Sequence, residues 1–332
     1  MTTLDRAGTR VSTGHLPAPD VVQALVDAAH ARFRDDTAGE VSRVYPALAR
    51  AEPQDFGICL IGTSGRAYAA GDADREFTIM SIAKPFTFAL VSELRGPEET
   101  RRRLGVNATG LRYDSVAALE LAGGRTNPMV NPGAIAATSL VPGATAEAKW
   151  ALLHEGLSRF AGRALALDED VYACASAANA RNQGIARLLQ AYGRLAGDPA
   201  EAVDLYTRQC SLRVSARDLA VMGATLADGG MNPLTGSRVV EPMTCHHTLA
   251  VMLTAGLYDH SGDWLYDVGL PAKSGIGGGI VTVSPGKGGM GTYAPPLDAA
   301  GNSVKGQLVA KFLAAQLGMD LLISAPAGGQ AA

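Results

Sequence analysis

Apolar and polar positions recur with two different periods along the 332-residue chain. A helical period, with apolar residues three and four positions apart, runs through residues 19–33 and dominates residues 76–255. Between these stretches, residues 56–71 form two apolar runs around a Thr-Ser-Gly turn, which is typical of a β-hairpin. The first part of the chain therefore predicts a helix, a hairpin and a long helical region.

The C-terminal part of the chain has a different pattern. After residue 268 the sequence becomes rich in glycine and in β-branched residues, which predicts two or three strands joined by tight turns. The pattern then predicts a final helix at 303–317 and a last strand at 320–324.

Strands at the two ends of the sequence bracket a helical middle, which indicates an α+β fold. We expect the end segments to form one antiparallel sheet flanked by helices, and the middle to form a helical lobe. The cleft between them is the expected active site. A single catalytic domain is predicted for 17–325. Within it, the sheet lobe is assigned to residues 17–75 and 256–325, and the helical lobe to residues 76–255. Residues 1–16 and 326–332 are predicted to be flexible tails.

Composition narrows the classes of function. A net charge of −3 and an aromatic content of 5% give no basic or base-stacking surface for nucleic acid. No apolar segment has the length of a membrane span, and the N-terminus lacks the apolar core of a signal peptide. We therefore expect a cytoplasmic protein with neither a nucleic-acid nor a membrane partner.

The cysteines, histidines and glycines predict no metal or cofactor site. The four cysteines lie far apart and form no C-x-x-C pair, which favours reduced core thiols. The run Cys-His-His at 245–247 places its side chains on different faces of a helix, which does not suit a shared metal. The segment "GIGGGI" lacks the last glycine of a dinucleotide-binding loop.

The stretch "FTIMSIAKPF" contains a candidate for chemistry, because Ser81 and Lys84 stand three residues apart. Residues i and i+3 share one helix face, so a helix beginning here places the lysine amine beside the serine hydroxyl. The helix N-terminus also directs free N–H groups at an oxyanion formed there. A second copy of this spacing, Ser284 and Lys287, contains Pro-Gly and follows a predicted strand. We expect it to lie in a turn, where the two side chains have no fixed mutual geometry.

The surroundings of Lys84 bear on its role. Its neighbours in sequence are almost all apolar, so we expect the lysine to be buried. Burial lowers the pKa of a lysine toward neutrality, and a neutral amine can accept the serine proton. On this stretch alone, the pattern slightly favours the alternative, a lysine that reaches solvent from a core helix.

A third motif lies near the C-terminus, where Lys273, Ser274 and Gly275 follow one another in a predicted strand. Along the chain a Ser-x-x-Lys motif comes first, a polar motif lies in the middle, and a Lys-Ser-Gly motif lies near the end. This order resembles that of the serine β-lactamases and penicillin-binding proteins. The resemblance implies a β-lactamase/transpeptidase-like fold. Those enzymes work outside the cytoplasm and need an export signal, so neither of their activities is expected here.

Longer motifs resemble a more specific family. The segments "NPMVNPGAIAATSL", "LYTRQCSL", "AGLYDHSGDW" and "GLPAKSGIGGGI" are similar to those of the serine-dependent glutaminases, in family order over most of residues 40–315. That family hydrolyses L-glutamine to glutamate and ammonia through an acyl-enzyme. The resemblance implies a small-molecule amide substrate, no cofactor, and a homodimer or homotetramer.

The resemblance also implies catalytic roles for matching positions. Ser81 matches the nucleophile and Lys84 its base, while Lys273 adds positive charge. Tyr206 and Tyr258 match two active-site tyrosines, whose phenols can relay a proton to the leaving ammonia or to the deacylating water.

Three further positions match substrate contacts. Asn131 and Asn182 match two substrate-contacting asparagines, with Pro132 where the family usually has alanine. Ile276 replaces the usual valine, and its backbone N–H, with that of Ser81, matches the oxyanion hole. Without the shared order, such asparagines are typical of turns and such tyrosines of ordinary packing.

Two further departures from the family pattern are more serious. Ala175 stands where the family has the glutamate that binds the substrate α-ammonium, and the upstream acids Glu169 and Asp170 need a loop shift to replace it. Val44 stands in the place of a family tyrosine, and Tyr45, one position later, is expected to point well away. Both changes affect substrate recognition more than acylation.

The departures leave three functions open. One is hydrolysis of glutamine or a related γ-carboxamide, and the second is a repurposed amidase or acyltransferase that acts on a different amide. The third is a non-catalytic ligand-binding homologue, which the complete set of Ser81, Lys84 and Lys273 argues against because nothing structural requires all three.

Overall fold

The computed structural model describes residues 14–324. The predicted C-terminal tail and all but residues 14–16 of the predicted N-terminal tail lie outside this range. The described residues form thirteen α-helices, nine strands and three 3₁₀ turns. The helices are α1 (Pro19–Phe33), α2 (Ala83–Arg95), α3 (Pro97–Leu104), α4 (Val116–Leu121), α5 (Asn131–Ser139), α6 (Ala146–Ala161), α7 (Glu169–Ala177), α8 (Ala180–Ala191), α9 (Pro199–Cys210), α10 (Ala216–Ala227), α11 (Pro242–Ala255), α12 (Ser261–Val268) and α13 (Val304–Gln316). The strands are β1 (Glu40–Val41), β2 (Gly57–Gly62), β3 (Ala67–Gly71), β4 (Phe77–Thr78), β5 (Arg213–Val214), β6 (Ala272–Ser274), β7 (Gly279–Ser284), β8 (Gly288–Tyr293) and β9 (Pro296–Leu297). The 3₁₀ turns are Leu48–Arg50, Met80–Ile82 and Tyr258–His260.

The central sheet joins the two ends of the sequence, as predicted. Its five strands run in the order β3-β2-β8-β7-β6, and every neighbouring pair is antiparallel. In this register Leu60 lies opposite Tyr68 on one side and Met290 on the other, and Lys273 lies opposite Val281. The predicted hairpin at 56–71 and the α+β class are therefore confirmed.

The sheet is covered on both faces, which is why β2 is continuously apolar instead of alternating with polar residues. Successive side chains of a strand point to opposite faces. Ile58 and Leu60 accordingly pack into a core with α1, α12 and α13, whereas Cys59 and Ile61 join the core of the helical region.

Helix α10 covers the second face at very short range. A Cβ atom added at Gly289 would lie 2.2 Å from the backbone nitrogen of Ala224, and one at Gly291 would lie 2.0 Å from the carbonyl oxygen of Ala216. Both glycines lie on the same face of β8, so the missing side chains let the α10 backbone rest directly on the strand. This packing ties a helix from the range 76–255 to the sheet.

Helix α2 is the centre of the helical region. Residues 83–92 of α2 are all buried, and α3, α5, α6 and α11 pack around them. The Phe86 ring packs at a tilted angle against the Phe160 ring of α6, with ring centroids 5.1 Å apart. The helix that begins just after Ser81 is therefore held rigidly by apolar contacts on all sides.

One predicted element does not form. Residues 320–324 contain no strand, although Leu321 N donates a single hydrogen bond to Gly269 O at 3.2 Å. Leu322 is 66% exposed, so this apolar position does not pack against the sheet as a buried strand residue would. Within residues 14–324, no helix is both long and apolar enough to cross a bilayer.

Candidate active site

A cavity of about 280 Å³ lies where the Met80–Ile82 turn meets the end of β6 and helices α5, α7, α8 and α9. Six of the residues predicted for the site line it: Ser81, Asn131, Asn182, Tyr206, Tyr258 and Ile276. A larger cavity of about 570 Å³, beside α3 and α4, is lined by no serine, lysine or tyrosine. Chemistry therefore identifies the smaller cavity as the candidate site.

The backbone is strained at two places in this site. Within the described part of the chain, Met80 (φ +49°) and Tyr258 (φ +56°) are the two non-glycine residues with positive φ. Such a conformation costs of order 1–3 kcal/mol and persists where the surroundings enforce it, commonly at functional sites. Met80 directly precedes Ser81, so the strained turn fixes the direction of the serine side chain.

Ser81 and Lys84 are in direct contact. The Lys84 Nζ atom lies 3.0 Å from Ser81 Oγ, and the lysine is only 1% exposed. Burial lowers the pKa of Lys84 to about 8. Near physiological pH a minority of this amine is thus neutral, far more than for an exposed lysine, and this form can accept a proton from the hydroxyl.

Asn131 connects Lys84 to the helical side of the cavity. Its Oδ1 atom accepts hydrogen bonds from Lys84 Nζ at 2.8 Å and from the Tyr206 hydroxyl at 3.1 Å. Its Nδ2 atom donates to Asn182 Oδ1 at 3.2 Å, and Asn182 donates in turn to Asn179 at 3.0 Å. This chain of side-chain amides orients Asn131 so that its amide oxygen, and not its amide nitrogen, faces Lys84.

Two further features determine where Asn131 lies and in which protonation state Tyr206 meets it. Asn131 is the first residue of α5, and Pro132 follows it in the first turn, where a missing N–H breaks no helical hydrogen bond. Burial raises the pKa of Tyr206 well above its ordinary value, so the phenol stays protonated and donates. The alanine-to-proline difference therefore suits this helix start.

Lys273 lies under Tyr258 and outside the cavity lining. Its Nζ atom is 4.0 Å from the Tyr258 ring centroid and donates to Gly256 O and Ser274 O, each at 2.8 Å. The residue is fully buried, and burial, followed by the charge of Lys84, lowers its pKa well below the usual range. Lys273 thus supports the ring of Tyr258 from behind.

Tyr258 joins the sheet edge to the nucleophile. Its hydroxyl donates to Ser274 O at 3.3 Å, and burial raises its pKa, with an opposing contribution from a hydrogen bond to Ser81. A protonated phenol beside the serine can pass a proton to a leaving group or from a water.

The end of β6 touches the serine turn. A Cβ atom added at Gly275 would lie 2.9 Å from Ile79 O and 3.3 Å from Ser81 N. Ile276, the next residue, lines the cavity. This close approach brings the backbones of Ser81 and Ile276 to the same wall, the arrangement that a two-donor oxyanion hole needs.

Ala175 and Val44, the two serious departures from the family pattern, both line the cavity. Ala175 does so from α7, and Val44 from a segment without helical or strand geometry. The expectation that Tyr45 points away is wrong, because this bend turns Val44 and Tyr45 toward the same space. Burial raises the pKa of Tyr45 to about 12, so it contributes a neutral phenol.

The acids Glu169 and Asp170 do not line the cavity. Asp170 pairs with Arg50 at 2.9 Å and lines a neighbouring cavity instead. Without movement, neither acid supplies the carboxylate that position 175 lacks.

Several lining residues gave no signal in the sequence. Tyr113 packs on Tyr258 with ring centroids 4.8 Å apart, and Asp114 follows it in the same irregular segment. Arg181 and Cys210 also line the cavity; burial raises the pKa of the Cys210 thiol to about 11. Residues 14–324 contain no cluster of three or more His, Cys, Asp or Glu side chains arranged for a metal ion.

Comparison with known proteins gives consistent matches over nearly the whole chain. The family model described as Glutaminase matches residues 39–322. "Glutaminase 2" of Yersinia pestis is 65% identical over 317 residues, which cover 95% of this chain and 93% of that protein. The "Glutaminase" of Colwellia psychrerythraea is 45% identical over 91% of this chain and 97% of its own length.

Solved structures agree in fold. "Probable glutaminase ybaS" superposes with a TM-score of 0.91 at 42% identity, covering 92% of this chain and 100% of that chain. Mglu in its glutamate form superposes with a TM-score of 0.86 at 37% identity, covering 92% of this chain and 71% of that chain.

Proposed function

The chain belongs to the glutaminase family, and we propose that it hydrolyses L-glutamine to glutamate and ammonia through an acyl-enzyme on Ser81. The observation that carries the assignment of the nucleophile is the 3.0 Å contact between Ser81 Oγ and the buried amine of Lys84. A neutral amine in hydrogen-bond contact with a hydroxyl is the arrangement that activates a serine.

Acylation follows from these contacts. Neutral Lys84 accepts the Ser81 proton as Oγ attacks the side-chain amide carbon of glutamine. The N–H groups of Ser81 and Ile276 stabilise the resulting oxyanion. The proton that Lys84 took from Ser81 then passes to the amide nitrogen, either directly or through the Tyr258 phenol that hydrogen-bonds to Ser81. The nitrogen leaves as ammonia, Lys84 returns to its neutral form, and a γ-glutamyl ester remains on Ser81.

Deacylation uses the same groups, with water in the place of the ammonia that has left. Lys84, neutral again, accepts a proton from a water that attacks the ester carbonyl. The oxyanion forms in the same place, and Ser81 recovers its proton as glutamate leaves. Asn131 holds Lys84 in position throughout, because its amide oxygen accepts from both Lys84 and Tyr206.

We assign substrate contacts to the cavity walls. Asn182 and Asn131 present side-chain amides to the cavity, and Tyr206 and Tyr258 close two of its sides. The cavity of about 280 Å³ suits a single small amide.

We also propose that one catalytic domain over residues 17–325 carries this activity in the cytoplasm, as a homodimer or homotetramer. Support for the single domain comes from α10, which packs on the sheet, and from a cavity lined by both parts of the chain. Light scattering after gel filtration tests the oligomer, and fractionation of cells tests the compartment.

The activity is tested with the wild-type chain, Ser81→Ala and Ser284→Ala. Ser284 is the matched control because it has the same spacing to a lysine but lies buried at the end of β7, outside the cavity. We expect the wild type and Ser284→Ala to release glutamate and ammonia at the same rate. In Ser81→Ala this rate should fall roughly 1000-fold. Mass spectrometry after an acid quench should show one γ-glutamyl group on Ser81. Full activity in Ser81→Ala would contradict the proposal.

A further inference from the structure

Recognition of glutamine raises a problem of charge in this cavity. The α-ammonium of a free amino acid must leave water on binding, and an unpaired buried cation is costly. Position 175, on the cavity wall, carries an alanine that cannot pair it. If glutamine is the substrate, as proposed above, another group must provide the negative charge.

Asp114 is the one carboxylate among the described residues that line this cavity. It follows Tyr113, whose ring centroid lies 5.9 Å from Lys84 Nζ and 4.8 Å from the Tyr258 ring centroid. The carboxylate is therefore carried by a segment that packs directly on the catalytic side chains. Its charge also reaches the reacting centre, since it raises the pKa of Lys84 against the larger effect of burial.

The Asp114 side chain is held in a defined orientation and is only 14% exposed. Arg181 Nε lies 3.0 Å from its Oδ2 atom, and Arg112 Nε lies 3.3 Å from its Oδ1 atom. Arg181 also donates to the backbone oxygen of Asp114 at 2.9 and 3.1 Å. A carboxylate offers about four lone-pair positions, so two arginine contacts leave acceptor capacity for an ammonium group.

Arg181 makes the neighbourhood suitable for a zwitterion. Arg181 also lines the cavity, and its side chain is 59% exposed. The ammonium and carboxylate of an α-amino acid are attached to one carbon atom. An aspartate and an arginine 3.0 Å apart present complementary charges at a matching separation.

We propose that Asp114 binds the α-ammonium of glutamine and replaces the carboxylate that position 175 lacks. Asn179 and Tyr45 line the same cavity, but they offer neutral oxygen atoms. A hydrogen bond between charged groups is roughly twice as strong as one between neutral groups. Asp114 is thus a substrate-binding residue that sets specificity for a free amino acid.

The test compares glutamine with glutaramate, which is the same γ-carboxamide without the α-amine. Ammonia release gives kcat and KM for both substrates in the wild type and in Asp114→Asn. We expect kcat/KM for glutamine to fall about 10- to 100-fold, mainly through KM, while the value for glutaramate changes less than about 3-fold. The control Asp170→Asn removes the same charge outside the cavity and should change neither value.

Each outcome has a definite meaning. An equal loss on both substrates, or no loss on glutamine, would overturn the assignment of Asp114. If Asp114→Asn does not fold, the wild type decides: it should prefer glutamine to glutaramate by at least about 10-fold, and equal values overturn the proposal. Absence of any glutamine turnover by the wild type would overturn the proposed function as well, whereas turnover with an unaffected Asp114→Asn overturns only this inference.

Discussion

Lys84 Nζ lies 3.0 Å from Ser81 Oγ across the point where a 3₁₀ turn becomes an α-helix. A 3₁₀ turn brings residues i and i+3 into line along its axis, which places the lysine directly over the serine. The strained φ of Met80 fixes one end of this arrangement, and the buried face of α2 fixes the other. The pair is therefore set by backbone geometry before any substrate binds.

The pKa of Lys84 predicts the pH dependence of catalysis. The amine must be neutral to accept a proton, and burial lowers its pKa to about 8. We therefore expect kcat to rise with pH through about 8 and to level off above it. Glutaramate should give the same acidic limb, because that substrate has no amine of its own to titrate. A kcat that is constant between about pH 6.5 and 9 would contradict the role of Lys84.

Asn131→Asp should shift this limb upward. The substitution places a carboxylate where an amide oxygen now lies 2.8 Å from Lys84 Nζ, and a nearby anion favours the protonated amine. We expect a shift of at least about one pH unit, with roughly 10-fold lower kcat at pH 7 that recovers at alkaline pH. Asn182→Asp adds the same charge one hydrogen bond further away and should shift the limb less. A loss that is uniform with pH would indicate a purely structural role.

Gly275→Ala should damage catalysis more than folding. The added Cβ would lie 2.9 Å from Ile79 O and would press the end of β6 away from the Ser81 turn, which misplaces the oxyanion donors. Loss of one such donor typically costs about 10²–10³ in kcat.

Gly184→Ala is the matched control for this substitution. Gly184 lies within α8 with nothing within 4 Å of the added atom, so its activity should be unchanged and its stability equal or slightly higher. Normal activity in Gly275→Ala would show that the contact does not position the oxyanion hole.

The sequence was sufficient for the parts of the fold that follow a regular period. The hairpin at 56–71 and the helix after Ser81 both appear where periodicity placed them. The strand predicted for residues 320–324 does not form, because a short apolar run does not by itself specify a strand. Leu322 is 66% exposed, so its apolar side chain is not buried as the predicted strand would require.

The residues of the site also fall into those that the sequence pattern predicts and those that it does not. Ser81 and Lys84 lie in a regular turn and helix, so their spacing predicts their contact. Tyr45, Tyr113 and Asp114 reach the cavity from irregular segments, where side-chain direction depends on backbone angles that no period encodes. These cavity-lining residues, among them the aspartate to which we assign substrate preference, were therefore the hardest to predict.

Ala175→Glu should restore glutamine preference in an enzyme that lacks the Asp114 carboxylate. Both positions line the same cavity, so a carboxylate at 175 can pair the α-ammonium once Asp114→Asn has removed the other. We expect the double variant to recover at least about 5-fold in the ratio of kcat/KM for glutamine over glutaramate. In the wild-type background the same substitution should give less, because Asp114 already pairs the ammonium. Ala177→Glu, on the exposed side of α7, is the control and should recover nothing. No recovery in a double variant with an unchanged melting temperature would place position 175 out of reach of the ammonium.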